Sequence, residues 1–203
     1  MKKNKISKNW INKQNRDIYV KSSRLEGYRS RAAYKLQEID SKFKILKNGT
    51  FVIDLGAAPG SWSQYVRKKI KNSKILSIDL IKMEEIPNTF QIKGDFTDVR
   101  FQNQIKDYFK EKVDIVLSDM AANTTGNKNL DSIVTGELCI EALNFAKNIL
   151  RKDGKFVSKI FMGSSFNDIL KIAKKNFKET NIYKPDSSRK SSKESYLICK
   201  YLN

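Results

Sequence analysis

The stretch FVIDLGAAPGSW, residues 51–62, constrains the fold more than any other part of the chain. It begins with a short apolar run over residues 51–55, the length of a buried strand, interrupted only by Asp54. A turn of small residues, Gly56–Gly60, leads into a helix-compatible run over residues 62–70. A strand, a glycine turn and a helix in this order open the nucleotide-binding units of α/β proteins, because glycine lets the backbone approach a ligand and the helix start offers free N–H groups.

This turn matches neither of the two commonest glycine-rich cofactor loops. The spacing of Gly56 and Gly60 does not fit the dinucleotide fingerprint G-x-G-x-x-G. No Gly-Lys-Ser or Gly-Lys-Thr follows, so the turn is not a P-loop.

Strand and helix patterns alternate along the rest of the chain, which predicts an α/β fold with a mostly parallel sheet and helices on both faces. We expect one domain over residues 1–203, with residues 1–27 as a basic N-terminal extension. Strands are predicted over 51–55, 74–80, 90–96, 113–120, 155–161, 177–183 and 195–202. Helices are predicted over 28–43, 62–70, 99–109, 131–150 and 165–176. The last two strands are separated only by a polar loop, which predicts an antiparallel hairpin at the C-terminus.

Carboxylates end three successive predicted strands, at Asp79, Asp95 and Asp119. Ligands of open α/β sheets bind at these strand ends, beside the glycine turn. Carboxylates accept hydrogen bonds from ribose hydroxyls and attract cations, whereas a phosphate group needs lysines or backbone N–H groups. On a chain of formal net charge +18, such an acidic site favours a cationic cofactor over ATP or NAD.

The charge distribution points to a polyanionic partner. Residues 1–47 hold fourteen Lys or Arg against four acids, a net charge of +10 out of +18. A lysine-rich translation of an AT-rich genome would raise the lysine count but would not explain why Asp and Glu together number only 22. The basic excess predicts binding to nucleic acid or to an anionic membrane surface, and we favour nucleic acid.

Composition also excludes several classes of protein. The chain has no histidine, which rules out a histidine-based triad and a histidine-ligated zinc site; we expect no metal site. Cys139 and Cys199 are far apart and read as reduced, buried thiols. The N-terminus lacks the apolar region of a signal peptide, and no run approaches the roughly 18 apolar residues of a membrane span. We therefore expect a cytoplasmic protein.

The string DLGAAPGSW resembles the first motif of S-adenosylmethionine-dependent methyltransferases, and its AAPGSW ending resembles the FtsJ/RrmJ family of RNA 2′-O-methyltransferases. The resemblance covers nearly the whole chain, with further matches at residues 30–36, 94–96, 118–121 with Asn123, 156–161, and 184–189 with Ser192, Glu194 and Tyr196. It implies the class I methyltransferase (Rossmann-like) fold, whose seventh strand is antiparallel, and S-adenosylmethionine as cofactor. Departures from the family pattern include Ser61, Ala122, Met162 and Ser164.

The family is marked by a Lys-Asp-Lys-Glu tetrad, which motif position assigns to Lys35, Asp119, Lys159 and Glu194. The same matching assigns cofactor contacts to Gly56, Gly60, Trp62, Asp79, Asp95 and Asp119. The bacterial branch methylates a uridine 2′-hydroxyl of large-subunit ribosomal RNA. The resemblance therefore implies ribosomal RNA or the large ribosomal subunit as partner, and we expect a monomer.

The tetrad suits this chemistry, because a ribose 2′-hydroxyl must lose its proton as the methyl group leaves sulfur. Burial on a central strand favours a neutral Lys159, whereas Asp119 and Glu194 oppose it. Lys159 is therefore either a base or a group that orients the hydroxyl. The alternative is a buried network of ion pairs that only stabilises the fold.

RNA contacts are predicted at Arg24, Arg29 and Arg31 in the basic N-terminal quarter and at Arg189 across the cleft. Because phosphate contacts carry no sequence information, these residues do not identify the target nucleotide. Two other functions stay open: 2′-O-methylation of transfer RNA or of an mRNA cap, and a non-catalytic RNA-binding or ribosome-assembly factor that keeps the fold.

Overall fold

The computed structural model describes residues 17–121 and 128–203, so Asn123 and most of the predicted N-terminal extension lie outside the described residues. The strands are β1 Phe51–Leu55, β2 Lys74–Asp79, β3 Phe90–Lys93, β4 Val113–Ser118, β5 Leu150–Phe161, β6 Phe177–Tyr183 and β7 Glu194–Leu202. The helices are α1 Ile18–Leu25, α2 Ala32–Phe43, α3 Ser61–Lys69, α4 Val99–Phe109, α5 Lys128–Ile149 and α6 Phe166–Asn176.

The strands form one sheet in the order β3-β2-β1-β4-β5-β7-β6. Strands β1 to β5 pair in parallel. The chain adds β2 and β3 on one side of β1 and then returns to add β4 and β5 on its other side. Strand β7 lies between β5 and β6 and is antiparallel to both. The predicted α/β architecture, including the antiparallel C-terminal strand, is confirmed.

Helices cover both faces of the sheet, which explains why its central strands are apolar on both sides. On one face α2 and α3 pack through Leu36 and Val66 against Val52. On the other face α4, α5 and α6 bury a larger cluster that includes Phe109 and Leu143. Cys139 and Cys199 are free and buried, as predicted. Among the described residues, no helix has the length and apolarity needed to cross a bilayer.

The structure adds one helix near the N-terminus and moves the start of another. The extension predicted over residues 1–27 contains helix α1, which begins where Asp17 accepts a hydrogen bond from the Tyr19 N–H at 3.1 Å. Helix α2 begins at Ala32 rather than at residue 28. Just before this start the Ser30 hydroxyl accepts from the Ala32 N–H at 3.2 Å, and the Arg29 N–H donates to the Gln64 side chain on α3 at 2.9 Å.

The predicted start of the fifth strand at residue 155 is also wrong, because β5 begins at Leu150 and includes Asp153 and Gly154. Its register against β4 shifts between Val113 and Ile115, and this irregularity absorbs the extra residues within the strand.

Candidate active site

The carboxyl ends of β1 and β4, with the starts of α2 and α3, surround a small cavity of about 110 Å³. Backbone and small side chains form most of its wall. Its lining consists of Ser30, Ala32, Asp54, Gly56, Ala57, Ala58, Pro59, Ser61, Trp62 and Asp119. The predicted glycine turn and the predicted carboxylate of β4 therefore meet at one site.

The glycine turn is held by backbone hydrogen bonds to β2, since the Gly56 N–H donates to the Ile78 carbonyl at 2.9 Å. Gly56 and Gly60 both have positive φ, at 65° and 106°. A Cβ atom on Gly60 would lie 2.7 Å from the Ile86 Cδ1 atom and 2.8 Å from the Arg29 Nη1 atom. The positive φ at this position favours glycine, and any side chain would require Ile86 and Arg29 to move.

The carboxylates of Asp79 and Asp95 fix the loops that follow their strands. Asp79 accepts hydrogen bonds from the Ala58 N–H at 2.9 Å and the Ile81 N–H at 2.8 Å, so it ties β2 to the glycine turn. Asp95 accepts from the N–H and the hydroxyl of Thr97 at 2.9 and 2.7 Å. Each carboxylate has about four acceptor positions, so these bonds leave capacity for a ligand.

Trp62 is almost fully buried and joins the two helices beside the cavity. Its indole N–H donates to the Ala32 carbonyl at 2.8 Å. Its ring lies 5.7 Å from the ring of Tyr196, measured between centroids. Trp62 thus forms a wall of the predicted cofactor site.

Asp54 is a buried carboxyl group that begins the DLGAAPGSW motif but was not predicted as a site residue. It accepts a hydrogen bond from the Ser63 hydroxyl at 2.6 Å, and that hydroxyl lies 2.6 Å from the Ser77 hydroxyl. Burial raises the pKa of Asp54 to about 7; the Ser63 hydrogen bond opposes the rise and the charges of Asp119 and Asp79 add to it. Nothing in the sequence around Ser63 and Ser77 indicates that they join this network.

Lys159 and Asp119 form one ion pair at the ends of the adjacent strands β4 and β5. The Lys159 Nζ atom lies 2.8 Å from the Asp119 Oδ1 atom and donates to the Asp119 carbonyl, also at 2.8 Å. Burial alone would raise the pKa of Asp119, but the ammonium groups of Lys159 and Lys35 and its hydrogen bonds outweigh burial and lower it.

Lys35 and Glu194 form the second ion pair and come from opposite ends of the chain. The Lys35 Nζ atom lies 2.9 Å from Oε1 and 3.1 Å from Oε2 of Glu194, so the contact is bidentate. Both residues are buried. The four residues predicted as the tetrad are therefore arranged as two ion pairs, one on the central strands and one between α2 and β7.

Tyr196 connects the two pairs. It is opposite Lys159 in the β5–β7 register, and its hydroxyl donates to the Asp119 Oδ1 atom at 2.6 Å. The Lys35 Nζ atom lies 5.8 Å from the centroid of its ring. Burial, followed by the anions of Asp119 and Glu194, raises the pKa of Tyr196 well above its usual value. Tyr196 belongs to the family pattern, but nothing in its spacing indicated this connecting position.

The four arginines predicted to contact RNA lie in different environments. Arg24 is exposed in the last turn of α1. Arg29 supports the cofactor side, since it donates to the carbonyls of Pro59, Glu84 and Glu85, each at 3.0 Å.

Arg31 and Arg189 both lie beside Asp17. Arg31 contacts the Asp17 carboxylate and donates to the Ser187 carbonyl, and it is mostly buried. Arg189 is partly exposed, with its Nε atom 3.9 Å from the Asp17 Oδ2 atom.

A doubly wound sheet with a glycine turn and acidic strand ends defines a methyltransferase of the Rossmann-like class. The model of the FtsJ-like methyltransferase family matches residues 28–202. This chain belongs to the FtsJ-like methyltransferase family.

Similar proteins include two ribosomal RNA large subunit methyltransferases E. That of Pelagibacter ubique is 65% identical over the full length of both chains. That of Rickettsia bellii is 46% identical over 95% of this chain and 87% of its own length. A Plasmodium falciparum crystal structure, assigned as a ribosomal RNA methyltransferase, matches 86% of this chain and 98% of its own with a TM-score of 0.79 and 33% identity.

Proposed function

We propose that this protein transfers a methyl group from S-adenosylmethionine to a ribose 2′-hydroxyl of large-subunit ribosomal RNA, with a uridine as target. The convergence of two buried lysine–carboxylate pairs beside the cofactor cavity carries the proposal. The ribosomal substrate is suggested by the names of the relatives and by the net charge of +18. We further propose that the protein acts in the cytoplasm as a monomer, because both pairs are completed within one chain.

The residues at the strand ends suit S-adenosylmethionine, which supplies a methyl group carried on a positively charged sulfur. The narrow glycine turn allows backbone to approach the methionine part closely. The carboxylate of Asp79 can accept hydrogen bonds from ribose hydroxyls, and Asp95 lies at the end of the next strand. Asp119, whose pKa is lowered, gives the cavity the negative charge that suits a cation. Trp62 closes the wall between this cavity and Tyr196.

Lys159 is positioned to orient the 2′-hydroxyl. An ammonium group has three N–H donors, and Asp119 occupies two of them through its side chain and its carbonyl. The third N–H can donate to the hydroxyl oxygen and aim a lone pair at the methyl group. Because an alkylated hydroxyl is strongly acidic, its proton leaves late in the reaction and needs no strong base. The close Asp119 contact therefore favours orientation by Lys159 over a neutral lysine base.

Lys35 and Glu194 restrict where the ribose can enter. Their bidentate contact fixes both side chains in a buried position one helical turn from Arg31. We propose that this pair contacts the ribose from the side opposite Lys159, with Tyr196 holding the two pairs in one rigid unit.

The test is transfer of a labelled methyl group from S-adenosylmethionine to large ribosomal particles, free ribosomal RNA and transfer RNA, with the modified nucleotide mapped. We expect label in large-subunit RNA on a uridine 2′-oxygen. Label in transfer RNA alone or in a cap would identify another RNA substrate. No label in any RNA, with binding retained, would identify a non-catalytic RNA-binding factor.

A further inference from the structure

Buried hydrogen-bond donors without acceptors gather beside the Lys35–Glu194 pair. They are the Nε atoms of Arg31 and Arg189 and the hydroxyls of Ser187 and Ser188. Ser187 and Ser188 are 0% and 5% exposed, so water does not readily satisfy them. An unpaired buried donor costs about 1–3 kcal/mol, and four in one cluster suit a ligand rich in acceptor oxygens.

The two guanidinium groups of this cluster are close to one another. Burial, followed by the charge of Arg189, lowers the pKa of Arg31. The turn that carries the serines is held by Glu38 on α2. The Glu38 carboxylate accepts from the Asp186 and Ser187 N–H groups at 2.6 and 2.8 Å. Arg31 at the start of α2 and Arg189 beside the fixed turn form an arrangement that suits a phosphate group.

Asp17 occupies this position in the structure. Its Oδ2 atom contacts Arg31 and lies 3.9 Å from the Arg189 Nε atom, so one carboxylate is shared by both arginines. Asp17 is also the N-cap of α1, and α1 is lightly held because Ser23 is its only buried residue. A phosphate could replace the Asp17 carboxylate while α1 shifts at small cost.

The location agrees with RNA chemistry. In a ribonucleotide the 2′-hydroxyl and the 3′-oxygen are on adjacent carbons, so a hydroxyl held at Lys159 brings its 3′-phosphate close by. Arg31 lies one helical turn before Lys35, and it is near enough to Glu194 for that carboxylate to act on its pKa.

We propose that Arg31, Arg189 and the Ser187–Ser188 turn bind a backbone phosphate of the RNA next to the target ribose, and that the Asp17 carboxylate holds this phosphate position until RNA displaces it. The inference rests on the proposed function, since it assumes an RNA substrate at the tetrad. In this proposal Asp17 competes with the RNA substrate for Arg31 and Arg189 and does not serve only as a structural contact.

The experiment compares Asp17→Asn with wild type in binding to a large-subunit ribosomal RNA transcript over a range of salt concentrations. Asparagine caps helices as well as aspartate does, so only the charge is removed. We expect the Kd to fall about three- to tenfold at low salt, and the slope of log K against log salt to steepen by about 0.7, the value for one further phosphate contact on single-stranded RNA.

Asp98→Asn is the matched control. Asp98 also caps a helix, accepting from the Arg100 N–H at 2.8 Å, and it also pairs with an arginine, with Arg100 Nη2 at 2.6 Å. The variant changes the net charge equally, but Asp98 is located beyond β3 at the opposite edge of the sheet from β6. We expect its Kd to stay within about twofold of wild type, because a remote surface charge is screened.

Arg189→Ala completes the test. Alone it should weaken RNA binding several-fold, and Asp17→Asn should then give no gain in the Arg189→Ala background. The proposal is overturned if Asp17→Asn weakens binding, if it gains no more than Asp98→Asn, or if the gain persists without Arg189. These measurements need no methyl transfer, so a wild-type protein that binds RNA but fails to methylate it would refute the proposed function separately.

Discussion

The site that we propose has two halves, which are built from different interactions. The cofactor half, meaning the glycine turn with Asp54 and Asp79, is held by hydrogen bonds between residues close together on β1, β2 and α3. The RNA half, meaning the two ion pairs with Tyr196 and the Arg31–Arg189 cluster, joins residues from opposite ends of the chain.

This difference predicts how each half responds to change. Backbone hydrogen bonds and close packing fix the cofactor half, so it should be insensitive to salt and sensitive to added volume. Charges hold the RNA half, and a charged substrate can exchange with them. Substitutions should therefore separate the two halves, with cofactor affinity and methyl transfer changing independently.

Lys159→Ala should give the largest effect and isolate the RNA half. We expect methyl transfer to fall by about a thousandfold, or about 4 kcal/mol, since the hydroxyl loses its orienting donor. Cofactor affinity should be retained, measured by calorimetry. Lys155→Ala is the control on the same strand, because the Lys155 Nζ atom donates to the carbonyls of Lys44 and Ile45 at 2.7 and 2.8 Å, away from the site. Retained turnover in Lys159→Ala would contradict the proposed role.

Asp54→Asn tests whether the burial of Asp54 makes the free energy of unfolding depend on pH. Because burial raises the pKa of Asp54 to about 7, the folded state binds its proton more tightly than the unfolded state. Wild-type stability should therefore fall as pH rises from 5 to 8, by roughly 2–3 kcal/mol from this group. The asparagine variant lacks the term, so its free energy of unfolding relative to wild type should grow with pH. Parallel pH profiles in urea denaturation would refute this.

Gly60→Ala should damage the cofactor half while sparing the ion pairs. The positive φ and the close approach of Ile86 predict a loss of about 2 kcal/mol of stability and weaker cofactor binding. Gly49→Ala is the control, since Gly49 also has a positive φ, at 76°, but a Cβ atom there meets nothing within 4 Å. Equal loss of cofactor affinity in both variants would mean that backbone strain alone is responsible.

Tyr196→Phe should give the smallest effect and sharpen the description of the RNA half. Removing the hydrogen bond to Asp119 should lower turnover by about tenfold or less, near 1 kcal/mol, because Lys159 still pairs with that carboxylate. Tyr65→Phe removes a similar hydroxyl that donates to buried Asp40 at 3.3 Å, and its turnover should be unchanged. Equal losses in the two variants would assign the effect to general stability.

The two halves also differ in how far the sequence predicts them. The glycine turn and Asp79 were predicted from spacing, because the contacts of this half are local. The Lys35–Glu194 pair was predicted only through family resemblance, since no spacing rule connects residues at opposite ends of a chain. The Asp54–Ser63–Ser77 network was missed because the burial of two serines depends on how α3 packs on the sheet. The predicted start of β5 was wrong because Asp153–Gly154 is a typical turn sequence, whereas both residues lie within the strand.

The place of β7 between β5 and β6 sets an order on assembly in the cell. Residues 51–118 can form the first four parallel strands while the rest of the chain is still being synthesised. Glu194 reaches Lys35 only after another 159 residues have been added, roughly 10–30 seconds at ribosomal speed. The last strand to emerge both fills the gap in the sheet and delivers Glu194 and Tyr196. A nascent chain could therefore hold its methyl donor before it could act on any RNA, including the ribosome that is making it.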